Sequence, residues 1–259
     1  MKKIKTLIVL GLAIFFITGC AKENNAGNNE ETSKNEETTI YLVRHGKTWF
    51  NTTGQVQGFC DSPLTDVGVE QAKKVGDKLS SVEFVGAYSS DLGRQRNTAK
   101  QILKKNENKK PQITELDGLK EWNFGSFEGK TNTEMYEVAF KATGFKEEEY
   151  YEMQDSLGGV AGVADLIAEK DPLKEAENYD SILVRVKEAT DKIMKETTKK
   201  GGGNVLIVTS GGTIPALIDT IAPGEYKGED IENCSITTIN YKNGKYTLGK
   251  IGDTSHLEK

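Results

Sequence analysis

Hydrophobic periodicity divides the chain into segments of two kinds. Residues 39–43 (TIYLV) form a short apolar, β-branched run that stops at Arg44-His45-Gly46, the pattern of a buried strand opening into a loop. From 65 to 79 the period changes: Val69, Ala72, Val75 and Leu79 recur at three- and four-residue steps behind Pro63 and a Thr65 able to cap, which predicts an amphipathic helix. A second strand over 84–88, a helix through Thr98, Ala99 and Leu103, and a third short strand over 112–116 follow. Ile182, Val186, Ala189 and Ile193 share one face of a long helix predicted over 179–198, and three glycines at 201–203 separate it from Val205-Leu206-Ile207-Val208. Alternation over 236–251 around Asn243-Gly244 predicts a closing hairpin. Strands that alternate with helices imply an α/β sandwich with a mostly parallel central sheet and the hairpin at one edge. Ligands in such sheets sit beyond the carboxyl ends of strands. Two loops occupy that position, Arg44-His45-Gly46 and Thr209-Ser210-Gly211-Gly212-Thr213.

The N-terminal forty residues stand outside this pattern. Lys2, Lys3 and Lys5 precede an uncharged apolar run over 6–18, too short to span a bilayer comfortably. The run ends at Ile17-Thr18-Gly19-Cys20, which resembles the lipobox of bacterial lipoproteins. That resemblance implies a signal peptide over 1–19 and a lipid anchor on Cys20. An uncleaved N-terminal anchor with unmodified Cys20 is the alternative, and either reading places the domain on the extracytoplasmic face of the membrane. Residues 20–38 offer almost nothing that could bury apolar surface and read as a flexible tether, so the domain is expected over 39–259.

Composition narrows the function. With 259 residues, 36% hydrophobic and 28% charged, the chain fits one globular domain with a sizeable core. A net charge of −5 argues against nucleic acid as a main partner, since such proteins normally carry a basic excess. Three cysteines, Cys20, Cys60 and Cys234, cannot build a disulfide scaffold, and no His/Cys spacing suits a metal, so no structural zinc is expected. Cys60 and Cys234 read as free thiols, with a bond between them left open by the exported setting.

A histidine directly after an arginine at the end of a buried strand is suited to nucleophilic attack on an anionic ester, provided nearby cations keep its ring neutral. The same chain carries Arg44-His45-Gly46-x-Thr48-x-x-Asn51, then Gln57-Gly58, Pro63-Leu64-Thr65, Ser90-Asp91-Leu92-x-Arg94 with Thr98-Ala99, Glu121 within LKEWNFGSFEG, and VTSGGTI. In this order the motifs resemble the histidine phosphatase superfamily, phosphoglycerate mutase-like, over nearly all of 39–251. The resemblance implies a three-layer α/β/α sandwich, with residues 130–177 as a helical cap insertion. It makes His45 the nucleophile that takes the phosphoryl group, Arg44 and Arg94 the clamp on its oxygens, and Glu121 the proton donor. Asn51 and the Gln57-Gly58 turn would complete the phosphate pocket, although Gln57 also reads as a solvent-facing turn residue. Trp122, Phe124 and Phe127 are available to keep water from Glu121, or belong to the core. Arg96 reads as a helix-surface residue. No cofactor is expected.

One position departs from the family pattern. Where a second histidine normally precedes the Gly-Gly pair, this chain has Ser210, and the remaining histidine, His256, lies three residues from the end and reads as part of a frayed tail. Ser210 keeps a shorter, neutral donor, and the Gly211 and Gly212 amides at a helix N-terminus would favour an anion. Two readings follow. One is an extracytoplasmic phosphomonoester hydrolase, attenuated at Ser210, acting on a small phosphorylated substrate. The other is a catalytically silent module that binds a phosphorylated ligand at the cell surface. A mutase role is less attractive for an exported protein. The acidic cluster Glu147, Glu148, Glu149, Glu152 and Asp155 either faces the pocket and repels polyphosphates or forms a solvated helix face.

Overall fold

Long apolar runs without alternation need cover on both faces, and the sheet supplies that arrangement. The computed structural model describes residues 37–258; Cys20, the predicted signal peptide and most of the tether lie outside the described residues. The first strand, β1 (Thr38–Arg44), begins one residue before the boundary read from the sequence. A single-turn helix, α1 (Trp49–Thr53), follows, opened by a capping box between Thr48 and Asn51. Next come α2 (Asp66–Lys78), capped by Thr65 as expected, then β2 (Phe84–Ser89), α3 (Gly93–Lys105) and β3 (Ile113–Glu115). After the cap helices α4 (Asn132–Thr143), α5 (Tyr150–Ser156) and α6 (Val160–Lys170), the long α7 (Tyr179–Lys199) leads into β4 (Gly203–Thr209). Helix α8 (Thr213–Ile221) and the hairpin β5 (Ile236–Lys242) and β6 (Lys245–Leu248) close the domain. Asn243 and Gly244 both have positive φ, as a two-residue hairpin turn demands.

The strand order is β3-β2-β4-β1-β5-β6. Pairs β3/β2, β2/β4 and β4/β1 are parallel, and β5 runs antiparallel to β1. The α/β fold with a six-stranded mixed sheet is therefore as expected, hairpin at the edge included. Side chains alternate between two cores. Ile40, Leu42, Tyr88, Val205 and Ile207 pack with residues of α7 and α8, whereas Val43, Ala87, Leu206 and Val208 pack with α2 and α3. The cap has its own apolar centre, where Met135, Ala139, Met153, Val163 and Ile167 meet Val56 and Phe127. Burial of each of these side chains except that of Ala139 contributes about 1.5–3 kcal/mol before entropy, so the cap is a packed element.

The C-terminal segment corrects the sequence reading. His256 is half-buried rather than frayed: its Nε2 lies 2.9 Å from the Cys234 carbonyl, and Leu257 packs on the core beneath α2 and α3. Burial lowers the His256 pKa. Cys60 and Cys234 are both free thiols. Among the described residues no helix is long and apolar enough to cross a membrane.

Candidate active site

The carboxyl ends of β1 and β4 lie side by side, Arg44 opposite Thr209, and the loops that follow build the site. His45 continues β1: its N–H donates to the Thr209 carbonyl at 2.9 Å, and its carbonyl accepts from Asn233 Nδ2. The next amide, Gly46 N–H, donates to the Thr98 hydroxyl on α3. Gly46 has no room for a side chain, since a Cβ would come 2.4 Å from the Gly68 carbonyl oxygen. His45 is only 3% exposed, and its Nδ1 lies 2.9 Å from the Gly46 carbonyl. A carbonyl can only accept, so Nδ1 carries the proton and Nε2 holds a lone pair. Burial, and then Arg94 and Arg44, push the His45 pKa well below its ordinary 6.5 and keep that lone pair available.

Around this ring lie donors without acceptors among the described residues. Arg44 Nε, Arg94 Nε, Gln57 Nε2 and Trp122 Nε1 are all buried and unpartnered. Unmade hydrogen bonds of this kind cost about 1–3 kcal/mol each, and an anion with several acceptor oxygens would recover that. Gln57 is positioned for this by its other atom, since Oε1 accepts from the hydroxyls of Ser62 at 2.7 Å and Thr48 at 2.9 Å. Its place in the pocket, rather than on a solvent-facing turn, follows from that pair. Asn51 lines the same cavity, and its Oδ1 accepts from the Thr48 amide.

Arg94 is used differently from the expected open clamp. It is fully buried, and its two terminal nitrogens donate to the carbonyls of Gln57, Gly58 and Cys60 and to the Asp61 carboxylate. Its fork therefore organises the 57–61 loop, while its positive charge acts on His45. Glu128, which the sequence reading missed, holds the same loop from the other side: its carboxylate accepts from the amides of Gly58, Phe59, Cys60 and Phe124. Gly58 is confined here, because a Cβ would fall 2.0 Å from the Trp122 carbonyl oxygen. Burial and Glu128 together push the Cys60 thiol up to about 12, so it stays protonated and unreactive.

Glu121 is buried at the cavity wall, its carboxylate accepting from Trp122 N–H, Thr213 Oγ1 and Gly212 N–H. The Gly212 amide was expected to face an anion directly; it instead fixes the carboxylate. Gly211 lies against the Arg44 guanidinium, where a Cβ would sit 3.4 Å from Cζ. Phe127 belongs to the cap core, and Trp122 stands beside Gly212.

Ser210 has a partner that no sequence pattern announced. Gln95, fully buried on α3, donates from Nε2 to Ser210 Oγ at 2.6 Å, while its Oε1 accepts from the Ser90 amide. A buried polar residue on the face that carries Ala99 and Ile102 was the available signal. Arg96 is a surface residue as read, paired with Glu115. Of the acidic cap cluster only Asp155 reaches the cavity. That cavity, of about 720 Å³, is lined by Arg44, His45, Asn51, Gln57, Glu121, Gly211 and Gly212 at one end; Arg94, Gly58 and Ser210 stand behind its wall.

Comparison with known proteins agrees with this fold. The profile of the histidine phosphatase superfamily (branch 1) matches residues 40–254. A metal-independent phosphoserine phosphatase of Arabidopsis thaliana is 31% identical over 228 residues, covering 86% of this chain and 85% of that protein. A probable phosphoglycerate mutase of Yersinia pestis (strain Pestoides F) is 27% identical, covering 85% and 94%. The crystal structure of a phosphoglycerate mutase from Bacillus anthracis str. Sterne superposes with a TM-score of 0.80 at 39% identity, covering 87% of this chain and 97% of that one.

Proposed function

The chain belongs to branch 1 of the histidine phosphatase superfamily, and on that premise we propose that it is a phosphomonoester hydrolase working through a phosphohistidine on His45. The observation that carries this reading is a neutral, oriented imidazole among buried N–H donors that have no acceptor among the described residues. In the first half-reaction His45 Nε2 attacks phosphorus, the bond to the ester oxygen breaks, and that oxygen takes the proton of the Glu121 carboxyl. In the second, water attacks phosphorus while its proton passes to the Glu121 carboxylate; the P–N bond breaks and inorganic phosphate leaves. The balance needs no cofactor. Gln57 and Arg44 meet the phosphoryl oxygens as their charge shifts, and the charge of Arg94 acts on them from behind the wall.

Hydrolysis is favoured over phosphoryl exchange by the lining of the cavity, where Arg44 and Lys227 are the basic side chains against Glu121, Asp155, Asp219, Glu229 and Asp230. A mutase must hold a second anionic group of its substrate, and these walls repel one. Phosphate released stoichiometrically with only water as acceptor is the expected result. Transfer to a second phosphorylated metabolite without release would overturn the reading.

Ser210 in place of the family's second histidine attenuates the site by one charge-assisted donor. The Gln95 contact changes how that is tested. Ser210→His alone is expected to lower turnover, since an imidazole would need the space Gln95 Nε2 occupies at 2.6 Å from Oγ. Ser210→His with Gln95→Ala is expected to raise kcat roughly 10²-fold. Unchanged kcat in the folded pair would remove attenuation from the account; activity only in the pair would favour the silent binding module instead.

We also propose that Cys20 anchors the domain at the extracytoplasmic face of the membrane, on the charge and apolar pattern of residues 1–20. Cys20→Ser should move the protein out of the membrane fraction. Equal membrane retention by the variant would contradict lipidation.

A further inference from the structure

The phosphate end occupies a small part of the cavity. At about 720 Å³ the whole space falls in the range that holds a drug-sized organic molecule, far more than a phosphoryl group on a three-carbon body requires. Its far walls come from the cap. Tyr136 and Tyr150 meet edge to face with ring centroids 5.1 Å apart, and Tyr150 meets Tyr151 likewise at 5.4 Å. Met135, Phe124 and Trp122 continue this aromatic and soft apolar surface toward Glu121. Tyr151 is 73% exposed at the cavity, a large ring with an open face.

Charge excludes one class of occupant. Away from the phosphate end Lys227 is the basic lining side chain, and its ammonium already donates to the Gly224 carbonyl. Asp155, Asp219, Glu229 and Asp230 oppose it. A second phosphate or a carboxylate on the substrate would enter a field of its own sign, whereas a neutral ring gains the tyrosine surface at no electrostatic cost.

Resting on the hydrolase reading above, we propose that the substrates are phosphomonoesters with a single phosphate and a large, uncharged aromatic body, selected by Tyr136, Tyr150 and Tyr151. These side chains come from the cap helices α4 and α5 and act on binding of the leaving group. Small substrates that carry a carboxylate are disfavoured.

The test compares esters whose leaving alcohols have similar basicity, so that chemistry does not imitate recognition. The full chain, solubilised in detergent, is assayed with 2-(1-naphthyl)ethyl phosphate, glycerol 3-phosphate and 3-phosphoglycerate. The naphthylethyl ester is expected to show a kcat/KM at least about tenfold above the other two, carried by KM, with 3-phosphoglycerate poorest. Tyr151→Ala should raise KM for the naphthylethyl ester several-fold more than KM for glycerol 3-phosphate, and Tyr151→Phe should restore the difference. Calorimetric binding of the same three esters to His45→Ala reads recognition without turnover, and the same order is expected. Equal or tighter binding of glycerol 3-phosphate or 3-phosphoglycerate overturns this inference whatever the turnover. Absence of turnover of every ester, with the naphthylethyl ester still bound tightest, overturns the hydrolase reading and leaves the aromatic selection standing.

Discussion

His45→Ala is expected to abolish turnover, by on the order of 10⁵-fold or more, because it removes the atom to which the phosphoryl group is transferred. The fold should survive, since β1 is held by the β4 and β5 ladders on either side and the imidazole contributes one hydrogen bond of its own, to Gly46. The reactive form is also the form the site enforces. Burial, then the charges of Arg94 and Arg44, hold the His45 pKa well below 6.5. Protonation would consume the Nε2 lone pair, so the nucleophile stays competent as pH falls through the ordinary histidine range and is lost only as pH falls through the lowered value. The chain has only two histidines, which makes this directly readable. In a titration followed by ring-carbon NMR, the resonance missing from His45→Ala should show no protonation near pH 6.5 and a shift of the Nδ1–H tautomer. A midpoint near 6.5 for that resonance would contradict the burial and arginine account.

Arg94→Met is expected to be the most destabilising single change in the site, about 3 kcal/mol or more, with a turnover loss on the order of 10²- to 10³-fold. The ion pair with Asp61 is not the main reason. Asp61 is about a third exposed, and pairs of that kind contribute little. The larger cost comes from the carbonyls of Gln57, Gly58 and Cys60, which lose their donor while Met cannot replace it. The loop then relaxes and carries the Gln57 amide away from His45. Asp61→Asn is the control: it should cost about 1 kcal/mol or less and leave kcat nearly unchanged. Urea unfolding of the two variants beside kcat measurements separates these effects. Near-normal stability in Arg94→Met would show that Glu128 alone suffices to hold the loop.

The architecture was legible because it is written in periods. The three- and four-residue steps of 65–79 and 179–198 and the unbroken apolar run at 205–208 each emerged as α2, α7 and β4 within a residue or two. Residues whose role depends on chain neighbours were legible for the same reason: Thr65 caps α2, and Asn243-Gly244 makes the hairpin turn. Residues whose role depends on a distant partner were not. Nothing in the local sequence says that Gln95 reaches Ser210 across 115 positions, or that Glu128 gathers the amides of 58–60. The same limit explains the Gly212 amide, whose helix-terminal position suggested an anion before Glu121 was known to lie against it. His256 was misread because distance from the last strand says nothing about a turn that folds the tail back onto Cys234.

The central claim is a covalent phosphoryl group on His45. The most direct measurement mixes enzyme with excess phosphomonoester, quenches at alkaline pH where phosphohistidine survives, and reads intact mass and the modified peptide. One added phosphoryl group per chain is predicted, located on His45 and absent from His45→Ala, with more of it in Glu121→Gln when the ester is p-nitrophenyl phosphate, whose leaving phenolate needs no proton from Glu121 while water attack is slowed. Turnover with no such adduct in either wild type or Glu121→Gln, or an adduct on any other residue, would contradict it.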